Sequence, residues 1–172
     1  TKNDLYNEVA VKFNSKKTVF EGTLTIPKKI WPLPAVLLLG RTNGSDREDQ
    51  GLFTQLAGRL GEEGFAVLRF DGRGIGSSGG SALSATSGEQ YEDSISALDY
   101  LLQRKEIDLD RVAVIGHGEG AFFASKLASD KKNIKALILM SPMISKGGET
   151  DNNFDNLNEM ANKLQWDDQS LK

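Results

Sequence analysis

The first 26 residues alternate apolar and polar positions in two runs, Val9 to Phe13 and Val19 to Ile26. Asn14-Ser15-Lys16-Lys17 lies between them, so the pattern predicts a β-hairpin. Pro27, Pro32 and Pro34 interrupt regular structure, because proline lacks the N–H a ladder or helix needs. Trp31, among them, is expected to pack over the sheet edge. Ala35 to Leu39 is a continuous apolar run ending at Gly40. A strand apolar on both faces belongs at a central, parallel position. After a polar stretch from Arg41 to Gln50, Leu52, Phe53, Leu56, Ala57 and Leu60 recur at helical spacing, and Gly64 stops that helix.

Phe65 to Phe70 is the next predicted strand. A loop rich in Gly, Ser and Ala follows, from Asp71 to Gly88. Tyr91, Ile95, Leu98, Leu101 and Leu102 mark a second helix. Asp108 to Arg111 turns into a strand over Val112 to Ile115, followed by a third helix to about Ser129. Ile134 to Met140 is a further strand, ended by Pro142. Two strands and then three strand–helix alternations predict an α/β fold of about six strands. Its sheet is mainly parallel, with helices on both faces.

Composition narrows the function classes. The 172 residues suit one domain with a real core. A net charge of −3 gives no reason to expect nucleic acid or an anionic membrane as partner. There is no cysteine, which excludes disulfides and thiolate chemistry. A single histidine argues against a histidine-built metal site, and no metal or cofactor is expected. No apolar run reaches about 20 residues and no signal-peptide pattern opens the chain. A cytoplasmic origin is expected, and a start at Thr1 suits a trimmed or engineered piece.

Residues 149–172 differ from the rest. They hold six acids and two lysines, a net −4. Phe154, Leu157, Met160, Ala161 and Leu164 fall on one helical face. The division expected is a core over residues 1–148, followed at 149–172 by an acidic tail or the start of a cap-like helix.

The chemistry-bearing stretch is Gly116-His117-Gly118-Glu119-Gly120, between a predicted strand and a predicted helix. Gly-x-Ser-x-Gly in that setting is a nucleophile elbow, which lifts a serine hydroxyl to the top of an α/β sheet. Here the flanking glycines are present and Gly118 stands at the serine's position. Three further stretches match in order. They are the hairpin with Gly-Thr-Leu-Thr-Ile-Pro at 22–27, Gly40-Arg41-Thr42-Asn43-Gly44-Ser45, and the run from Arg69 through Asp71, Gly72, Arg73, Gly74 and Gly76 to Ser78. Together they make the chain resemble the N-terminal half of an α/β-hydrolase of the bacterial serine carboxylesterase kind. The second stretch stands where that family carries His-Gly-x-x-Gly-Ser; the third resembles its Asp-x-Arg-Gly-x-Gly-x-Ser loop.

The resemblance implies a small ester as substrate. It also implies an oxyanion hole built from the Glu119 N–H and the Thr42 N–H, with Arg41 the next candidate. Backbone donors tolerate side-chain change, so Gly40-Arg41 in place of His-Gly need not abolish the hole. The nucleophile is another matter: Gly118 has no side chain and forms no acyl-enzyme. The family order of nucleophile, acid, histidine places the last two after strands this chain does not contain. His117, before the nucleophile position, reads as structural rather than as the base. Little or no turnover is therefore expected. A strand that is central in the family sheet would be left with an open edge. The partner expected is a second copy, or a fragment supplying the missing strands and groups.

Two alternatives stay open. One is a non-catalytic binding or scaffold protein on the same fold. The other is a dinucleotide binder, because Gly116-x-Gly118-x-x-Ala121 after a strand also fits the Rossmann fingerprint. Against it, the next strand ends in Ser141-Pro142 with no acid for a ribose. Elsewhere, Asp46-Arg47-Glu48-Asp49 reads as a solvated charged loop. Glu92, Asp93 and Asp99 read as facing water. Asp71 and Arg73 are expected to fix their own loop rather than touch substrate.

Overall fold

The computed structural model describes residues 4–41 and 45–142. Its elements, in chain order, are β1 (Tyr6–Ser15), β2 (Thr18–Pro27), β3 (Leu33–Leu39), α1 (Leu52–Glu63), β4 (Ala66–Phe70), α2 (Ser87–Leu102), β5 (Ile107–His117), α3 (Gly120–Asp130) and β6 (Ile134–Met140). The expected acidic helix or tail at 149–172 and the candidate donor Thr42 lie outside the described residues.

The six strands form one sheet in the order β1-β2-β4-β3-β5-β6. β1 pairs antiparallel with β2, and β2 with β4; the pairs β4–β3, β3–β5 and β5–β6 are parallel. The expected mainly parallel α/β sheet is present. β5 begins earlier than its apolar core suggests, at Ile107, because Leu33 and Ile107 already pair there. Trp31 does not cover the sheet edge: it stays 47% exposed, with the Lys105 ammonium 5.8 Å from its ring centre.

The core lies in two layers, one on each side of the sheet. Leu37, Leu39 and Leu68 pack on one face with Leu98 and Leu101 of α2 and with Phe123 and Leu127 of α3. Val36, Leu38, Val67 and Ile115 pack on the other with Phe53 and Ala57 of α1. Successive side chains of one strand thus feed opposite layers, which is why β3 reads as an unbroken apolar run. Gly64 ends α1 with φ +106, and its N–H closes the last turn on the Leu60 and Gly61 carbonyls. Thr86 and Glu89 form a capping box that starts α2. No helix among the described residues is long and apolar enough to cross a membrane.

Candidate active site

β3, β4 and β5 run parallel, so their C-terminal ends, Leu39, Phe70 and His117, open onto the same edge of the sheet. In open α/β sheets that edge is where ligands bind. Three connections meet there: the segment after β3, the glycine-rich loop after β4, and the turn from β5 into α3.

That last turn is an elbow. Gly118 has φ +58, a left-handed conformation that suits glycine. Its N–H donates to the Met140 carbonyl at 2.9 Å, and Ala121 N–H donates to the Gly118 carbonyl as α3 begins. The three glycines differ in what surrounds them. A Cβ on Gly120 would lie 2.0 Å from the Leu39 carbonyl oxygen, and one on Gly116 would lie 2.5 Å from Ala121 Cα. Both are backbone atoms, so neither site admits a side chain. Among the described residues, a Cβ on Gly118 would meet Arg41, at 3.0 Å from Cγ and 3.4 Å from Cδ. Strand and helix are thus packed backbone to backbone on either side of a central position that opens towards a flexible side chain.

Arg41, at the start of the segment after β3, therefore lies over Gly118. Its guanidinium stands 3.8 Å from Asp49 and is 44% exposed. Asp49 itself is buried, 2% exposed. Its Oδ1 accepts the Ser45 hydroxyl at 2.6 Å, and its Oδ2 pairs with Nδ1 of His117. The solvated charged loop expected at 46–49 is therefore corrected. Asp49 is in the interior, Arg47 reaches Asp71 and Glu48 reaches Arg69 at 2.8 Å. His117, paired with Asp49, has Phe53 edge-on to its ring.

The loop after β4 is tied to the elements around it. Asp71 is 3% exposed. It accepts the Arg47 guanidinium at 2.6 and 3.0 Å and the backbone N–H groups of Arg47 and Ser77 at 2.9 and 3.0 Å. Burial alone would push the Asp71 carboxyl up; the Arg47 guanidinium and those N–H groups outweigh it and hold the group below the ordinary carboxylate value. Arg73 makes a two-pronged bond with Asp93, at 2.6 and 2.9 Å, and a third to Thr18. Asp93 is 4% exposed, which corrects the expectation that it faces water. Asp71 and Arg73 thus anchor the two ends of this tie, on Arg47 and on Asp93.

Between these loops lies a narrow cavity bounded by Gly40 and Arg41, by Phe70 and Arg73, and by Asp93 and Phe123. Its volume is about 40 Å³, enough for a water molecule. Among the described residues no group of three or more His, Cys, Asp and Glu side chains is placed to hold a metal ion.

The site brings Gly118, Glu119 and Arg41 together, with Arg41 the last residue described before Thr42. Asp49 was missed. One sequence signal could have raised it: a carboxylate shortly past a central strand, in a chain whose single histidine ends another.

Comparisons with known proteins fit this geometry. A family model described as serine aminopeptidase, S33, matches residues 46–166. Esterase EstD of Thermotoga maritima is 29% identical over 125 residues, 70% of this chain and 30% of that protein. The uncharacterized protein PA2218 of Pseudomonas aeruginosa is 31% identical over 122 residues, 67% of this chain and 32% of its own. The aligned stretches thus span about a third of the curated relatives. Among solved structures, PA2218 superposes with a TM-score of 0.73 at 22% identity, covering 98% of this chain and 56% of that one. Est1E from Butyrivibrio proteoclasticus, with ferulic acid bound, gives 0.70 at 24%, covering 77% and 53%.

Proposed function

Since the chain belongs to the α/β-hydrolase family described as serine aminopeptidase, S33, we propose that it carries the oxyanion half of a carboxylic-ester hydrolase whose nucleophile position is a glycine. The observation that carries this reading is the elbow. Gly118 has φ +58 between two glycines that admit no side chain. Ester and amide hydrolysis share one requirement: negative charge grows on the carbonyl oxygen and must meet fixed donors. In this reading the donors are the Glu119 N–H, at the first turn of α3, and the Thr42 N–H, with Arg41 beside them. The helix terminus adds positive potential at the same point. An ester is preferred to a peptide as substrate because EstD, a relative over most of this chain, is named an esterase.

Without a side chain at 118 no acyl-enzyme forms. The one histidine pairs with Asp49, and the family's acid and base are assigned to sequence outside residues 1–172. Loss of a serine nucleophile alone costs subtilisin about a million-fold in turnover, so the chain by itself is an acyl-oxygen binder rather than a catalyst. The half-length coverage of solved relatives supports reading it as the N-terminal part of a longer hydrolase.

Titration with a short alkylphosphonate, followed by amide NMR, tests the reading. The expected result is a saturable shift of the Glu119 and Thr42 amides, with no hydrolysis of short activated esters above a heat-denatured control. Unmoved amides would overturn the oxyanion assignment. A stoichiometric acyl adduct by mass spectrometry would show that a nucleophile exists elsewhere.

A further inference from the structure

The segment Asp49-Gln50-Gly51 has three successive positive φ values, 44, 58 and 87. Only the third is glycine. Side-chain-bearing residues in that region are costly and persist only where their surroundings over-determine them. At Asp49 the surroundings are named partners from two different parts of the site.

We infer that Asp49 is a positioning residue, a buried clasp that fixes the segment after β3 against the elbow. The significance of this for catalysis rests on the oxyanion reading above. One carboxylate oxygen holds the segment after β3, through the Ser45 hydroxyl at 2.6 Å and, more distantly, Arg41 at 3.8 Å. The other holds the elbow, through Nδ1 of His117. A carboxylate offers acceptors only, so both Ser45 and His117 donate to it. The two oxygens of one rigid group set the spacing between Arg41 and Ser45 on one side and His117 on the other. Those two sides supply the proposed donors, Thr42 N–H and Glu119 N–H. The clasp is itself anchored: Asp46 Oδ1 accepts the Glu48 and Asp49 N–H groups at 3.0 and 3.2 Å, which folds the turn that presents Asp49 inward. Burial strengthens each bond, because no water competes for the carboxylate.

A merely structural carboxylate would stabilise its own loop. A clasp couples two loops, and the coupling is readable because the chain has a single histidine. The imidazole Nδ1–H resonance then belongs to His117 without ambiguity. Asp49→Asn suits the test, since asparagine tolerates positive φ better than most residues. In Asp49→Asn the low-field Nδ1–H resonance is expected to vanish. The amides of both residues 41–45 and residues 118–120 are expected to shift, while Lys12 and Asn14 towards the hairpin turn stay fixed. Amide changes confined to residues 45–51 would overturn the proposal.

Ser45→Ala provides a second reading should Asp49→Asn fail to fold. Ser45 is bonded to Asp49 and not to His117, so a clasp predicts that its loss moves the His117 Nδ1–H resonance through the shared carboxylate. An unchanged resonance would overturn the proposal equally. Neither measurement uses an ester or phosphonate. An intact clasp with no phosphonate binding would sink the proposed function alone, and phosphonate binding without coupling would sink the clasp alone.

Discussion

The Gly118 N–H donates to the Met140 carbonyl at 2.9 Å, so the last described strand holds the turn at which a hydrolase would carry its nucleophile. The bond continues the β5–β6 ladder, in which His117 and Met140 are register partners. It is backbone to backbone. The left-handed turn at 118 is therefore imposed by the sheet and does not depend on which residue occupies it.

Gly118→Ser should accordingly fold with the turn unchanged. The φ of +58 costs a side-chain-bearing residue about 1–2 kcal/mol, and Arg41 must swing aside. A urea-unfolding midpoint lowered by that amount is expected, with ester turnover still absent, because a serine hydroxyl without a positioned base is a poor nucleophile. A raised midpoint would contradict the strained turn.

Gly120→Ala should be far worse, although alanine is the better helix former. The new methyl would sit 2.0 Å from the Leu39 carbonyl oxygen and 2.5 Å from that of Gly40. Driving β3 away from α3 costs about 3 kcal/mol or more. The readout is the yield of soluble protein and the unfolding midpoint, compared with Gly118→Ser.

Asp71→Asn removes the charge that Arg47 and two backbone N–H groups hold. Breaking a buried pair by one partner costs about 3 kcal/mol. The pH dependence has a sign. The folded Asp71 carboxyl lies below its ordinary value, so its contribution is complete above the unfolded value of about 3.9 and fades as pH falls through the folded one. The wild type and Asp71→Asn should differ most near neutrality and converge in acid. A gap that widens on acidification would refute the assignment.

Arg73→Lys keeps the charge and loses the fork. Arg73 meets both oxygens of Asp93, at 2.6 and 2.9 Å, with Thr18 on a third nitrogen. A lysine is a point charge that cannot reproduce this. A loss of about 1–2 kcal/mol is expected, comparable with removing one or two hydrogen bonds to charge. Equal stability would mean that charge alone matters at this site.

Among the described residues β6 pairs with β5 only, and Ile138 on it is 50% exposed. An apolar strand edge is a template for another strand. Residues 1–172 should therefore self-associate as concentration rises, most simply as a two-fold pair. Sedimentation velocity reads this directly. Ile138→Lys should return the monomer, and a monomer at every concentration in the parent chain would defeat the expectation.

The elements and the elbow were legible in the sequence because they rest on local pattern. Gly64 ends α1, and the apolar runs of β3 and β5 lie inside the sheet, each between two other strands. The interior polar groups were harder to read. Asp46 to Asp49 looks solvated because nothing within that run reveals its partners, which lie 21 to 68 residues away in Arg69, Asp71 and His117. Asp93 is a different case. It shares a helical face with Gln90, Ala97 and Leu101, all buried, so spacing alone placed it inside and its charge misled. The expected loop to Gly88 ran past the start of α2 at Ser87, where Thr86-x-x-Glu89 is a capping box.

The strand order has a consequence for how the chain assembles. β4 lies between β2 and β3, so β3, made directly after β2, has no final neighbour until roughly 30 more residues exist. At about 5–20 residues per second, a nascent chain holds the apolar run of β3 unpaired for seconds after it emerges. The β1–β2 hairpin, which closes locally, can form at once. A ribosome stalled after β3 should thus present a chain bound by chaperones, and one stalled after α2 a chain that has released them.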